Sequence, residues 1–315
     1  MNGVICFAHK SYQLIEEYKS RGHQGSMLAV RTPEDLESTI GEVEFLCVSG
    51  LWQREFLQRA ERLRFVQATS SGIEQFDLAA FRKRGIRLCN ARGLNANSVA
   101  EHGMALMLSA TRHLASARDR QRQKLWRPLV SDRSLREREV RGSTAVIVGK
   151  GAVGSRLCEL VEAFGMHALT VSRTLSKEGV HRIDRTALYA ALRRADFVFL
   201  TCALTHDTRQ LFDDVAFASM APHAWLVNLA RGALVDETAL IRALDRGSIA
   251  GAALDCFAAE PLAAHSSLWA RDNVIITPHT GGETSGFEAR FINQFEENLV
   301  RLANSQPLIN EIVTL

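Results

Sequence analysis

Short apolar runs separated by amphipathic stretches alternate twice along this chain, and that alternation constrains the fold more than any other feature. The first series comprises residues 4–7, 27–30, 45–48, 65–68 and 86–89, with helix-like patterns at 12–18, 33–40 and 54–62. Apolar runs of this length suit strands covered on both faces, and the helical stretches supply the crossovers that parallel neighbours need. A second series repeats the layout at 145–148, 167–171, 197–200, 224–227, 252–254 and 274–276, with helical patterns at 157–164, 185–192, 211–219 and 237–246. Each series predicts an open, doubly wound parallel sheet with helices on both sides, an α/β architecture. A single core rarely grows beyond ~250–300 residues. At 315 residues, two sheets therefore mean two domains. The first reads as residues 1–96 and the second as 97–286, with a helical pattern at 287–302 crossing back so that 287–315 completes the first.

At the junction, Ser98-Val-Ala-Glu101 has the spacing of a capping box, in which hydroxyl and carboxylate each satisfy an orphan backbone N–H. It is expected to open a long helix through Met104, Leu106, Met107, Leu108 and Leu114. That helix is apolar on more than one face and suits packing between domains or subunits. From Arg118 to Arg141 the sequence is basic and poor in apolar residues, apart from Leu125-Trp126 and Leu129-Val130. Charge runs mostly solvate, so this reads as an exposed connecting arm. Trp126 on that arm marks a protein contact, and together with the long helix it suggests a homodimer.

The composition, 46% hydrophobic and 23% charged, is ordinary for a soluble globular protein. A net charge of +3 gives no electrostatic basis for a nucleic-acid groove or a membrane surface. The N-terminal apolar run is too brief for a signal peptide or anchor, and no stretch approaches the ~18 apolar residues of a membrane span. The six cysteines, Cys6, Cys47, Cys89, Cys158, Cys202 and Cys256, are scattered and mostly lie inside apolar runs. Reduced core thiols of a cytoplasmic protein have that pattern. No pair has metal-ligand spacing, so no metal site is expected.

Gly149-Lys-Gly-Ala-Val-Gly154 follows one strand-like run directly and leads into an amphipathic helix. In that context the G-x-G-x-x-G spacing implies a dinucleotide site. Gly149 permits the tight turn, Gly151 lets the backbone approach a pyrophosphate, and Gly154 lets helix and strand pack closely. The helix N-terminus adds amide donors and partial positive charge. At the end of the next strand, folds that select NAD usually carry Asp or Glu for the ribose 2′-hydroxyl. This chain has Ser172-Arg173-Thr174 instead. Ser172 removes the anion that would repel a 2′-phosphate, Arg173 offers a bidentate partner, and Ser172 and Thr174 offer hydroxyl donors. NADP(H) is the expected cofactor, with NAD(H) second.

Arg231, Glu260 and His279 each follow a late strand-like run, and groups just past strand ends in a parallel sheet converge on one crevice. In order and spacing, the Gly149 turn, Asn228-Leu-Ala-Arg-Gly-Ala-Leu-Val-Asp236, Gly251-Ala-Ala-Leu-Asp-Cys-Phe-Ala-Ala-Glu-Pro261 and Thr277-Pro-His-Thr-Gly-Gly282 resemble the D-isomer-specific 2-hydroxyacid dehydrogenase family. The likeness extends to Ser71-Gly-Ile-Glu-Gln-Phe-Asp77 and Ser98-Val-Ala-Glu-His102, and so covers nearly the whole chain. Within the family, Ser172-Arg173-Thr174 and Trp126-Arg-Pro are most similar to the NADPH-dependent glyoxylate/hydroxypyruvate reductases.

The resemblance implies a Rossmann dinucleotide-binding domain at 97–286 and a flavodoxin-like substrate domain at 1–96 and 287–315. It implies hydride transfer between NADP(H) and a small 2-keto or 2-hydroxy acid. Cofactor contacts are expected from Gly149, Gly151, Ala152, Val153, Gly154, Ser172, Arg173, Thr174, Cys202, Ala203, Thr208, Leu229, Ala230, Asp255 and Gly281, with Asp255 meeting the nicotinamide amide. Substrate contacts are expected from Trp52, Ser71, Gly72, Arg231 and His279.

The implied catalytic roles are chemically sensible. Arg231 can hold a carboxylate with its planar fork and stays charged. His279 can act as general acid, and Glu260 can orient the ring and complement its charge. Rival readings make Arg231 a structural partner of Asp236, His279 a turn residue, and Trp52 part of a core. His102, His113 and His223 lack such context and read as structural. Cys202-Ala203 and the tail Thr280-Gly-Gly282 depart from the usual family pattern. Other dehydrogenases on this scaffold, including a phosphoglycerate type, and a non-catalytic dinucleotide sensor are the alternatives.

Overall fold

Hydrogen bonding along the apolar runs produces two six-stranded sheets, in a computed structural model that describes residues 3–175 and 181–313. The chain begins β1 (Val4–Ala8), α1 (Leu14–Ser20), β2 (Met27–Val30), α2 (Pro33–Thr39), β3 (Val43–Val48), β4 (Phe65–Ala68), α3 (Leu78–Lys83) and β5 (Arg87–Cys89). It continues through α4 (Ala96–Thr111), α5 (Leu114–Arg122), β6 (Thr144–Val148), α6 (Ala152–Ala163), β7 (His167–Val171) and a short ribbon, β8 (Thr174–Leu175) with β9 (His181–Arg182). Then come α7 (Arg185–Leu192), β10 (Phe197–Leu200), α8 (Asp214–Ala218), β11 (Trp225–Asn228), α9 (Glu237–Asp245), β12 (Gly251–Leu254), β13 (Val274–Ile276), α10 (Phe287–Ala303) and β14 (Glu311–Val313). The chain divides into unit 1, Met1–Asn95 with Thr284–Leu315, and unit 2, Ala96–Glu283.

Unit 1 has the strand order β14-β5-β4-β3-β1-β2, parallel except for β14 against β5. The 2-1-3-4-5 order within it is that of flavodoxin-like sheets. Successive side chains of a strand point to opposite faces, and each face has its own core. Cys6, Ala8, Leu46, Val48 and Val66 meet Leu36, Phe56 and Phe81 on one face. On the other, Phe7, Phe45, Cys47 and Phe65 meet Leu14, Tyr18 and the Phe287, Phe291 and Phe295 stripe of α10. That spacing of four residues puts the three rings on one side of the helix.

Unit 2 has the order β13-β12-β11-β10-β6-β7, wholly parallel. The order reverses between β6 and β10, and the Gly149 turn leaves the carboxyl end of β6 at that switch point. Such a crevice is where ligands bind in open α/β sheets. Val146, Val198, Leu226 and Ala252 face α7, α8 and α9. Ile147, Phe199, Val227 and Ala253 face α4 and α6. Asp184, Asp213 and Asp236 cap α7, α8 and α9 by accepting backbone N–H bonds, each cap being worth about 1 kcal/mol.

Three sequence expectations differ from the structure. Residues 54–62 hold only a short 3-10 helix, Arg54–Gln58. The helix expected to open at Ser98 starts at Ala96, so Ser98 lies within its first turn rather than at the cap. The reversal at Gly93, with φ of 90°, delivers the chain into helical geometry earlier, after Asn95. The long helix also ends at Thr111, because His113 takes a left-handed φ of 51° and redirects the chain into α5. Beyond α5 the basic arm leaves Trp126 97% and Leu129 101% exposed.

Replacing Phe295 with Ala removes a fully buried ring that contacts Phe7, Tyr18 and Phe65. A loss of about 3–5 kcal/mol is expected, measured as a lower midpoint in chemical denaturation followed by circular dichroism.

Candidate active site

The glycine turn has the space its sequence implies. Gly149 has a φ of 115°, and a Cβ there would lie 2.7 Å from the Cys202 nitrogen. Gly151 precedes α6, and a Cβ there would meet nothing within 4 Å, which leaves an open approach for a bulky anion. Gly154 packs against the turn so closely that a Cβ would lie 1.9 Å from the Gly149 carbonyl oxygen. Thr201 steadies the turn by donating its hydroxyl to the Gly149 carbonyl at 3.0 Å. A dinucleotide pyrophosphate fits this arrangement: an unobstructed backbone at Gly151 and the unpaired N–H groups at the start of α6, where Ala152 and Val153 lie.

Ser172 is half-buried and Arg173 exposed just past β7. The Thr174 side chain lies outside the described residues. Burial pushes the Cys202 thiol up to about 11, while the Arg173 charge pulls the other way, so the two sit within electrostatic reach. Ala203 is exposed, whereas Thr208 is 1% exposed. The Thr208 hydroxyl donates to the Ala203 carbonyl at 2.8 Å and accepts the Thr205 N–H at 2.7 Å. Its position makes it the internal brace of this loop.

Arg231 follows β11 through a turn built by Asn228. The buried Asn228 amide donates to the Arg231 carbonyl at 3.0 Å and accepts the Ala230 N–H at 3.1 Å, fixing Leu229 and Ala230 between them. The guanidinium donates to the Ala230 carbonyl at 2.8 Å. Gly232 lies so near Phe257 that a Cβ would come within 1.8 Å of its carbonyl carbon. Asp236, named as a rival partner for Arg231, accepts the Thr238 and Ala239 N–H groups as the cap of α9.

Glu260 and His279 meet directly. His279 Nδ1 is 2.9 Å from Glu260 Oε2 and 3.1 Å from Oε1, and Oε1 also accepts the Phe257 N–H at 2.9 Å. With side chains 42% and 37% exposed, the pair is open to solvent, which a ligand can replace. Because Nδ1 faces the carboxylate, Nε2 is the nitrogen left to face a ligand. His279 has a left-handed φ of 57°, a conformation that costs a non-glycine residue on the order of 1–3 kcal/mol and that its surroundings must enforce.

The enforcing group is Asp255. Its carboxylate accepts the Thr277 hydroxyl at 2.6 Å and the N–H groups of Thr280 and Gly281 at 3.0 Å each, and so grips the turn on both sides of His279. Burial works to raise the Asp255 pKa, but hydrogen bonds from His102, Thr277 and the Gly281 N–H outweigh it and hold the group below the usual carboxylate range. His102 Nε2 lies 2.9 Å from Thr277 Oγ1. Sequence reading set His102 aside as structural because its partners are far along the chain and no linear spacing announces them.

In unit 1, Ser71 is exposed and Gly72 half-buried at the end of β4. Their loop is held by Ser70, whose hydroxyl donates to the Gly72 carbonyl at 2.6 Å, and by Asn90, whose amide donates to the Ser71 carbonyl at 2.8 Å. Neither brace was singled out in the sequence. Trp52 is 6% exposed among Phe56, Phe76 and Phe81, with Nε1 buried and without a partner among the described residues. Among those residues no group of three or more His, Cys, Asp or Glu side chains is arranged to hold a metal ion, and no helix is long and apolar enough to cross a membrane.

Comparison with known proteins places these features in a family context. A model of the D-isomer specific 2-hydroxyacid dehydrogenase NAD binding domain matches residues 104–281. A glyoxylate reductase of Pyrococcus furiosus is 35% identical over 246 residues, covering 75% of this chain and 71% of that protein. The chloroplastic D-3-phosphoglycerate dehydrogenase 2 of Arabidopsis thaliana is 34% identical over 80% of this chain, which spans only 41% of that longer protein. Among solved structures, a D-isomer specific 2-hydroxyacid dehydrogenase family protein from Aeromonas salmonicida aligns with a TM-score of 0.84 at 29% identity, covering 99% of both chains.

Because a Cβ at position 154 must displace the Gly149 carbonyl, Gly154→Ala is expected to weaken nucleotide binding about tenfold or more. Fluorescence titration with NADPH reads this directly, and an unchanged dissociation constant would separate the turn from nucleotide binding.

Proposed function

The chain belongs to the D-isomer-specific 2-hydroxyacid dehydrogenase family, and on that premise we propose that it reduces small 2-keto acids with NADPH, glyoxylate and hydroxypyruvate being the leading substrates. The observation that carries the proposal is the His279–Glu260 contact at 2.9 Å, made by residues that follow β13 and β12, with the cation Arg231 following β11 in the same sheet. Reduction of a 2-keto acid leaves a negative charge on the former carbonyl oxygen and requires a proton there. His279, with Nδ1 held by Glu260, presents Nε2 as the donor. Arg231 holds the substrate carboxylate and polarises the carbonyl.

The bound nicotinamide supplies the hydride. Gly149, Gly151 and Gly154 would hold its pyrophosphate, and Ser172 and Arg173 the ribose 2′-phosphate. The glyoxylate reductase relative supports the substrate class. The phosphoglycerate dehydrogenase relative makes a phosphorylated keto acid the competitor to include in a substrate panel.

In the same reading the protein is a homodimer. Leu114, Leu125, Trp126, Leu129 and Leu135 are all more than half exposed along α5 and the arm, and apolar side chains at this density favour a partner surface. Trp126→Glu is then expected to shift the mass measured by light scattering from dimer to monomer, whereas a wild-type protein that is already monomeric removes this part of the proposal.

For the chemistry, Arg231→Ala and His279→Ala are each expected to lower kcat/KM for glyoxylate by about 10²–10⁴-fold. Assayed side by side, NADPH should support turnover better than NADH. Wild-type-like turnover in either variant contradicts the mechanism, and a clear preference for NADH contradicts the role of Ser172 and Arg173.

A further inference from the structure

A small hydrogen-bond cluster behind the His279 turn is not used by the proton-transfer mechanism. His102, on α4, is half-buried, and its Nε2 lies 2.9 Å from Thr277 Oγ1 and 3.3 Å from Asp255 Oδ1. The Thr277 hydroxyl itself donates to Asp255 Oδ1 at 2.6 Å. A threonine hydroxyl has one proton and an ionised carboxylate has none to give. The hydrogen in the His102–Thr277 contact must therefore come from Nε2. That assignment makes His102 the donor that leaves the Thr277 hydroxyl pointing only at Asp255.

The remaining side-chain and turn partners of Asp255, Thr277, Thr280 and Gly281, flank His279 on both sides. We infer that His102 is a positioning residue for His279: by donating into the Thr277–Asp255 pair it fixes the turn that holds the imidazole in its left-handed conformation. This rests on the reading of His279 as the proton donor.

An independent feature of the packing agrees. A Cβ at Gly281 would lie 2.9 Å from Asp255 Oδ2 and 3.0 Å from His102 Cδ2, so any larger residue must displace the carboxylate or the imidazole ring. Glycine there makes room for the His102 ring.

His102→Phe keeps an aromatic ring but removes the donor, whereas His102→Gln can return an N–H near the Nε2 position. With NADPH and glyoxylate, His102→Phe is expected to lower kcat between about ten- and a hundredfold, the scale of a small misplacement of a catalytic group. The KM for glyoxylate and the NADPH dissociation constant, titrated by fluorescence without substrate, should stay within about twofold. His102→Gln should recover most of kcat, and Thr277→Val, which removes the hydroxyl at nearly constant shape, should reproduce the loss and carries the test if His102→Phe fails to fold. A crystal structure of either impaired variant should show His279 outside the left-handed region. Wild-type kcat in His102→Phe or Thr277→Val, a glutamine variant as impaired as the phenylalanine one, or a loss confined to NADPH affinity overturns the inference. The His279→Ala variant separates the two levels. If it turns over normally the proton-donor reading fails, and if it is inactive while His102→Phe is normal, only the role of His102 fails.

Discussion

Parallel strands must stop somewhere, and at their carboxyl ends the backbone groups and turns that follow have no further ladder to join. In unit 2 that need is met by side chains of the strand ends themselves. Thr201 holds the Gly149 carbonyl, Asn228 brackets the turn into Arg231, and Asp255 gathers the turn around His279. Remove these contacts and the strands remain, but the groups they deliver lose fixed positions. The candidate chemistry therefore depends on a structural requirement that every parallel sheet faces, met here with polar side chains whose secondary effect is to aim Arg231 and His279.

Much of this was legible in the sequence, for a physical reason. Strands buried on both faces are continuous apolar runs, so 65–68 and 197–200 coincide with strands in the structure, while 27–30, 167–171 and 274–276 coincide with partly exposed edge strands. The helix at 185–192 is equally plain, with Asp184 as its cap. Glycines in a turn that backbone crowds can also be read, because no other residue satisfies the steric demand at Gly154. Where local signals competed, reading was less secure. Ser98 and Glu101 have capping-box spacing, yet the geometry after Gly93 starts the helix two residues earlier.

What stayed hidden are partners brought together only by the fold. His102 and Thr277 are 175 positions apart, and nothing near either one signals the other. The same is true in unit 1, where Asn298 donates to the Gln67 side chain, Gln67 and Gln294 both donate to the Asn90 carbonyl, and the Asn90 amide reaches Ser71. Four buried amides from distant stretches form one relay beneath an exposed loop. A buried amide costs free energy unless each of its groups is paired, so such a relay fixes its loop more tightly than apolar packing would. Composition and spacing cannot show this, because an isolated Asn or Gln in a sequence is far more often at the surface.

The discontinuity of unit 1 has a consequence for how the protein is made. Its second aromatic layer consists of Phe7, Phe45 and Phe65 from the beginning of the chain and Phe287, Phe291 and Phe295 from near its end. Synthesis proceeds from the N-terminus and domains tend to fold as units as they emerge. All of Ala96–Glu283 leaves the ribosome before α10 does, so unit 2 is complete while one face of the first sheet is covered by α1 but still lacks α10. Unit 1 thus finishes its core only once α10 has been made, and until then Phe45 and Phe65 lack the α10 rings of their own core cluster.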